Sequence, residues 1–159
     1  MNVPDLSGVP PSPTDRETVA QLLGREPIGH FCVARRRADG QAVVIANDPL
    51  LLDGTPMPTR YWLVDPVIRA RIGLIESEGG VKEAEQAVDA EDLAAAHGRY
   101  AAERDALVPA GWQGPRPSGG VGGTRKGVKC IHAHVAWWLV GGDDPVGDWA
   151  ADRIGLTRP

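Results

Sequence analysis

Hydrophobic residues cluster in three short runs in the first half of the chain, at residues 29–34, 42–46 and 61–64. Their length and their β-branched and aromatic content are typical of strands. The first two runs are joined across Ala38-Asp39-Gly40, and an Asp-Gly step between such runs is a signal for a hairpin. The pattern therefore predicts three short strands, of which the first two form a β-hairpin.

Apolar residues that recur every three or four positions predict helices elsewhere, because this spacing places them on one helical face. The predicted helices cover about 14–23, 66–78, 81–88, 89–107, 127–140 and a short segment after Asp144-Pro145. Favourable starts precede several of them, namely a capping box at Thr14-Asp15-Arg16-Glu17 and the steps Asp65-Pro66 and Asp144-Pro145. One helix, three strands and then further helices predict an α+β fold with a small antiparallel sheet.

The chain has 159 residues, which is enough for one domain with a buried core. Residues 1–13 contain four prolines and no periodic apolar face, so we predict a disordered N-terminal arm. Residues 14–159 are predicted to form a single α+β domain, in which several helices pack on a three-stranded antiparallel sheet.

Composition narrows the class of protein. Hydrophobic residues make up 42% of the chain and charged residues 24%, as in ordinary soluble globular proteins. The net charge of −4 argues against a general nucleic-acid binder, so no nucleic-acid partner is expected. No run approaches the roughly 20 apolar residues of a membrane-spanning helix, and no membrane insertion is expected. The two cysteines, Cys32 and Cys130, do not make a disulfide framework, which favours the reducing cytoplasm.

Residues 109–126 show no hydrophobic period, and a loop this long inside a compact domain is commonly functional or disordered. Its glycines let backbone amides approach a ligand, and basic residues follow at the predicted helix start, where anions are favoured. The spacing fits neither the P-loop nor the dinucleotide fingerprint, and a flexible linker is the alternative. The predicted ligand-binding residues are Gly120, Gly122, Gly123, Arg125, Lys126 and Lys129.

Cys130, His132 and His134 follow this loop and are the candidate catalytic residues. On a continuous helix Cys130 and His134 share one face, whereas His132 points away. A metal would need further ligands, so Cys32 on a predicted strand joins Cys130 and His134 as a candidate ligand. The alternative is that these residues belong to the core of an apolar helix, and we expect no tightly bound zinc and no cofactor. His97 is expected on a helix surface.

Several segments together are similar to a known bacterial family. They are Asp53–Leu63, Arg71–Gly79, Gly120–Gly123 and Gly127–His134, the last of which contains the specific element Val-Lys-Cys-Ile-His. On these segments the chain resembles the family called domain of unknown function 501, over roughly residues 20–150. An Ala-, Arg-, Asp- and Gly-rich composition also resembles that of actinobacterial proteins.

The resemblance implies no established activity. Members of the family often carry a cysteine near the hairpin turn, where this chain has Arg37, and this departure argues against a shared zinc site. Members are also encoded near proteins of cell division and polyphosphate metabolism, which is an association and not a mechanism.

Three hypotheses about function follow. The first is a cytoplasmic domain that binds a small anionic ligand or a protein partner through the glycine-rich loop and the following helix. The second is an enzyme acting on phosphorylated substrates with a Cys/His site. The third is a structural interaction protein linked to cell division.

Overall fold

A three-stranded antiparallel sheet of order β1-β2-β3 lies at the centre of the computed structural model, which describes residues 10–158. The strands are β1 (Phe31–Arg36), β2 (Ala42–Asn47) and β3 (Tyr61–Leu63). The β1–β2 pair is the predicted hairpin, in which Cys32 lies opposite Ala46. The predicted α+β class and small antiparallel sheet are confirmed.

Six helices and one short 3-10 turn accompany the sheet in the described part of the chain. They are α1 (Pro13–Leu23), α2 (Pro66–Ser77), α3 (Gly80–Ala87), α4 (Ala90–Asp105), the 3-10 turn Val121–Gly123, α5 (Ile131–Leu139) and α6 (Pro145–Ile154). Asp65, Asp89 and Asp144 each accept two backbone amides at the start of the next helix. These carboxylates satisfy amides that have no partner within the helix.

The start of α1 differs from the predicted one. Ser12 is the N-cap, its hydroxyl accepts the Asp15 amide at 3.0 Å, and the Asp15 carboxylate accepts the Ser12 amide at 3.1 Å. The capping box therefore begins two residues before Thr14, with Pro13 at the first helical position, where its missing N–H costs nothing. Residues 1–9 of the predicted N-terminal arm (residues 1–13) lie outside the described residues.

The predicted helix at 127–140 starts too early, because α5 begins only at Ile131. Gly127 has φ of +65°, which breaks the helix, and Cys130 is extended (φ −152°, ψ 123°) as the N-cap. Two carboxylates from other helices accept amides of this segment. Glu85 of α3 accepts the Val128 amide and Glu76 of α2 accepts the Ile131 amide, both at 2.7 Å.

Helix α5 is the central helix of the core. Every residue of it except His132 is buried, and it packs on β3 and α6. Its two tryptophans keep their ring N–H groups paired, Trp137 with Glu103 at 3.0 Å and Trp138 with Asp148 at 2.7 Å. These two bonds hold the C-terminal end of α5 against α4 and α6.

Within residues 10–158, no helix has both the length and the apolar content that crossing a membrane requires.

Candidate functional site

Arg104 of α4 anchors the glycine-rich loop. Its side chain is 1% exposed, and its guanidinium donates to the carbonyls of Pro58 and Gly119 at 3.0 Å and of Ser118 at 3.4 Å. All three carbonyls lie around one nitrogen, Nη1, while Nε donates to the Asp105 carboxylate at 2.8 Å. The loop is therefore tied both to α4 and to the segment that precedes β3.

His97, about two turns earlier on α4, holds the other part of the loop. Its Nδ1 accepts the Val121 amide at 3.0 Å, and its Nε2 donates to the Gly127 carbonyl at 2.9 Å. This pair of partners requires the neutral ring with its proton on Nε2. The expectation that His97 lies on the helix surface is wrong, because the residue is buried. Gly120 packs so closely on it that a side chain at position 120 would place its Cβ 2.5 Å from the Cβ of His97.

Most of the predicted amide donors of the loop already have partners. The Gly120 amide donates to the Thr124 carbonyl at 2.7 Å, and the Gly123 amide donates to the Gly120 carbonyl at 3.0 Å. Arg125 and Lys126 are exposed, and neither lines the cavity described below. The loop thus folds upon itself, and Gly122 is the residue that it contributes to the cavity wall described below.

Cys130 and His132 lie close together, next to a carboxylate of α2. The Nδ1 of His132 is 3.1 Å from Oε1 of Glu76, and Nε2 is 3.2 Å from the carbonyl of Arg69. One ligand atom each from Glu76, Cys130 and His132 lies within 4.8 Å of the other two. We call these three residues the Glu-Cys-His cluster. All three are partly buried.

The charge of His132 follows from its partners. A hydrogen bond to Cys130, and then the nearby Glu76 carboxylate, raise the pKa of His132 to about 9 against the opposing effect of burial. Glu76 and the Arg69 carbonyl are acceptors, so both ring nitrogens donate. His132 is therefore a cation at neutral pH.

A cavity of about 380 Å³ opens beside this cluster. It is lined by Leu23, Thr59, Tyr61, Trp62, Leu63, Arg69, Gly122, Lys129, Cys130, His132 and Ala133. Arg69, Lys129 and His132 are cationic, and no carboxylate is found among the described residues that form the wall. The cavity wall thus combines cationic and apolar side chains.

His134 does not join Cys130, contrary to the shared helix face that the sequence predicts. It is fully buried, and its Nδ1 is 2.6 Å from Oδ2 of Asp144, which is also fully buried. The late start of α5, at Ile131, explains the difference, because Cys130 precedes the helix and follows no helical period. Cys32 lies in the sheet, where burial raises the pKa of its thiol, and neither residue belongs to the Glu-Cys-His cluster.

A family model described as "Protein of unknown function (DUF501)" matches residues 33–152. The chain belongs to the DUF501 family. The matched range contains the Glu-Cys-His cluster and every residue of the cavity wall except Leu23. No curated protein and no solved structure matches the chain significantly.

The segments in which the chain resembles DUF501 proteins meet at the cavity. The segment 53–63 contributes four wall residues, 120–123 contributes Gly122, and 127–134 contributes Lys129, Cys130, His132 and Ala133. The segment 71–79 contributes Glu76 to the cluster. The family resemblance therefore pointed to the segment that contains Glu76. The residue spacing around Cys130 did not, because Glu76 lies on another helix.

Acidification is expected to destabilise this DUF501 protein through His97. Burial lowers the pKa of His97 in the folded state, and the neighbouring His134 and Asp144 act on it in opposite directions. Below the unfolded pKa of about 6.5 the unfolded chain binds more protons, so stability falls as the pH falls. The melting temperature should decline from about pH 7 to pH 5, and His97→Gln, which keeps a donor and an acceptor, should reduce the slope. An unchanged slope would contradict a neutral His97.

Proposed function

We propose that this protein binds a small anionic ligand in the cavity between β3, α2 and the start of α5. The observation that carries the proposal is the wall itself, where Arg69, Lys129 and His132 meet with no carboxylate among the described lining residues. Charge-assisted hydrogen bonds from such groups are about twice as strong as neutral ones. This proposed site differs from the one expected from sequence. Its binding groups are the cations of the cavity wall, and it does not use the amides of Gly120 and Gly123 or the side chains of Arg125 and Lys126.

The composition of the wall supports a ligand with two parts. Arg69 uses one guanidinium nitrogen on the Leu22 carbonyl, at 3.0 Å, and keeps other donors. Leu23, Leu63 and Ala133 offer an apolar surface on the same cavity. A volume of about 380 Å³ is at the small end of ligand pockets. The ligand class is thus a compact molecule with one phosphate- or carboxylate-type group and a small apolar part.

Lys129→Ala is expected to weaken binding of phosphate, sulfate or a small phosphate ester by about tenfold or more, since one charge-assisted hydrogen bond contributes about 1.5–3 kcal/mol. Its side chain is exposed at the cavity rim, so the fold should lose little stability. Titration calorimetry measures the affinity, and thermal melts check the fold.

Lys126→Ala is the matched control, because Lys126 has the same charge three residues earlier and lies outside the cavity wall. It should leave the affinity nearly unchanged. Equal effects of the two substitutions would indicate diffuse surface charge, and the absence of any binding at millimolar anion would reject the proposal.

The alternative, an enzyme acting on phosphorylated substrates, is favoured by the nearness of Cys130 and His132, whose ligand atoms lie within 4.8 Å of each other at the cavity wall. Hydrolysis of a phosphate ester that is lost in Cys130→Ala and retained in Cys32→Ala would support this alternative. Binding without turnover would support the anion-binding proposal alone.

The cytoplasm is the compartment we propose for this function, and two free cysteines fit a reducing environment. For the interaction-protein hypothesis, the described residues offer as support a few exposed apolar side chains, among them Val67 and Leu74 on α2. Binding of a small anion would argue against it as the main function.

A further inference from the structure

The Glu-Cys-His cluster has the composition of a metal site. A thiolate, an imidazole and a carboxylate are the three ligand types that zinc uses in proteins. In a tetrahedral site with metal–ligand bonds of about 2.0–2.3 Å, ligand atoms lie about 3.5 Å apart. The three ligand atoms here lie within 4.8 Å of one another, so small side-chain rotations suffice to close around an ion.

From this arrangement we infer that Glu76, Cys130 and His132 bind a divalent transition-metal ion of the zinc type at the wall of the cavity. We expected no tightly bound zinc from the sequence because Arg37 stands where relatives often have a cysteine, and because one helix face supplies only Cys130 and His134. Because α5 starts at Ile131, Cys130 instead approaches His132, and α2 supplies Glu76 as the third ligand.

Hydrogen bonds behind the cluster orient two of its ligands. The Arg69 carbonyl, 3.2 Å from Nε2 of His132, accepts the proton of that nitrogen, and Nδ1 lies 3.1 Å from Glu76. Metal binding releases the proton that Nδ1 carries in the metal-free cation. A backbone carbonyl that fixes the second nitrogen of a histidine is the usual support of a metal-binding imidazole. The Ile131 amide donates to Oε1 of Glu76 at 2.7 Å and fixes that carboxylate.

The ligand set also selects the ion. A thiolate favours zinc, cobalt and similar ions over magnesium and calcium, which prefer oxygen ligands. Three protein ligands leave one tetrahedral position, and both Cys130 and His132 line the cavity. This is the pattern of a site open to water or to a ligand. An anion held by Arg69 and Lys129 could occupy that position, so the inference deepens the proposed function.

The two proposals fail separately. Metal binding is measured on the full chain in buffer without phosphate or sulfate, and anion binding on chelator-treated protein. Zinc binding without any anion affinity would support the metal site and reject the proposed function. Anion affinity without zinc binding would support the proposed function and reject the metal site.

Cobalt(II) and zinc are the probes. The wild-type chain is expected to bind about one ion, and its cobalt form should show tetrahedral d–d bands with a thiolate-to-metal charge-transfer band in the near ultraviolet. Zinc should also protect Cys130 from a thiol reagent. Both readouts use the wild-type chain, so they test the inference even if a variant fails to fold. Absence of the charge-transfer band or of protection would overturn it.

Matched substitutions assign the ligands. Cys130→Ala and His132→Ala should weaken zinc binding by about 100-fold or more, and Glu76→Gln by about tenfold. The controls are Cys32→Ala, His30→Ala and Glu78→Gln, which change the same residue types outside the cluster and should leave zinc affinity unchanged. Affinity retained in Cys130→Ala, or lost in Cys32→Ala, would overturn the inference. Circular dichroism confirms that each variant is folded.

Discussion

Replacing Asp144 with alanine is expected to lower the free energy of unfolding by about 3–5 kcal/mol, because it breaks a buried pair and leaves one partner behind. Oδ2 of Asp144 lies 2.6 Å from Nδ1 of His134, and both side chains are fully buried. Oδ1 accepts the amides of Val146 and Gly147 at 2.9 and 3.1 Å, which starts α6. Chemical denaturation of the variant and the wild type measures the loss.

The neighbouring Asp143 provides the control. Its side chain is 76% exposed and lies 3.6 Å from the Arg99 guanidinium, so Asp143→Ala should change stability by less than about 0.5 kcal/mol. In the double variant with His134→Ala, the loss due to Asp144→Ala should shrink, since its partner is already absent. Equal effects of the Asp143 and Asp144 substitutions would contradict a structural role for the buried pair.

Arg104→Ala is expected to cost about 3 kcal/mol or more, since the carbonyls of Pro58, Ser118 and Gly119 lose a buried charged donor. The loop should also open locally. Trypsin sites at Arg125 and Lys126 lie at the end of this loop, so cleavage there should accelerate under conditions in which the rest of the domain stays folded.

Arg99→Ala serves as the comparison, because Arg99 lies on the same helix and is 43% exposed. It should alter neither stability nor cleavage appreciably. If Arg104→Ala behaves like Arg99→Ala, the glycine-rich loop is ordered by its own turns and does not depend on α4.

The helix starts at Asp65 and Asp144 could be predicted because the capping carboxylate and the following proline act on adjacent backbone. The start of α5 could not be predicted in this way. Its first amide is capped by Glu76 from another helix, and Cys130 itself makes no side-chain cap. The period of apolar residues indicates which face of a helix is buried, but it does not show that a residue far away in the sequence caps the first turn.

The candidate site was predictable in part for the same reason. Sequence patterns singled out Cys130, His132 and Lys129, which are contiguous and chemically distinctive. Arg69 and Glu76 were missed because, within α2 alone, they read as ordinary charged residues of a half-exposed helix. The order of the aperiodic loop depends on His97 and Arg104, two buried polar residues of α4 that no hydrophobic period reveals.

The two carboxylates that hold the segment before α5 have a consequence for folding kinetics. Glu85 and Glu76 are separated from the amides that they accept by 43 and 55 residues, so each contact closes a long chain loop. Because loop-closure entropy opposes such contacts, we expect them to form only after α2 and α3 have docked. We therefore expect the cavity to be completed late in folding, so that a ligand bound there would stabilise the fully folded chain and slow its unfolding.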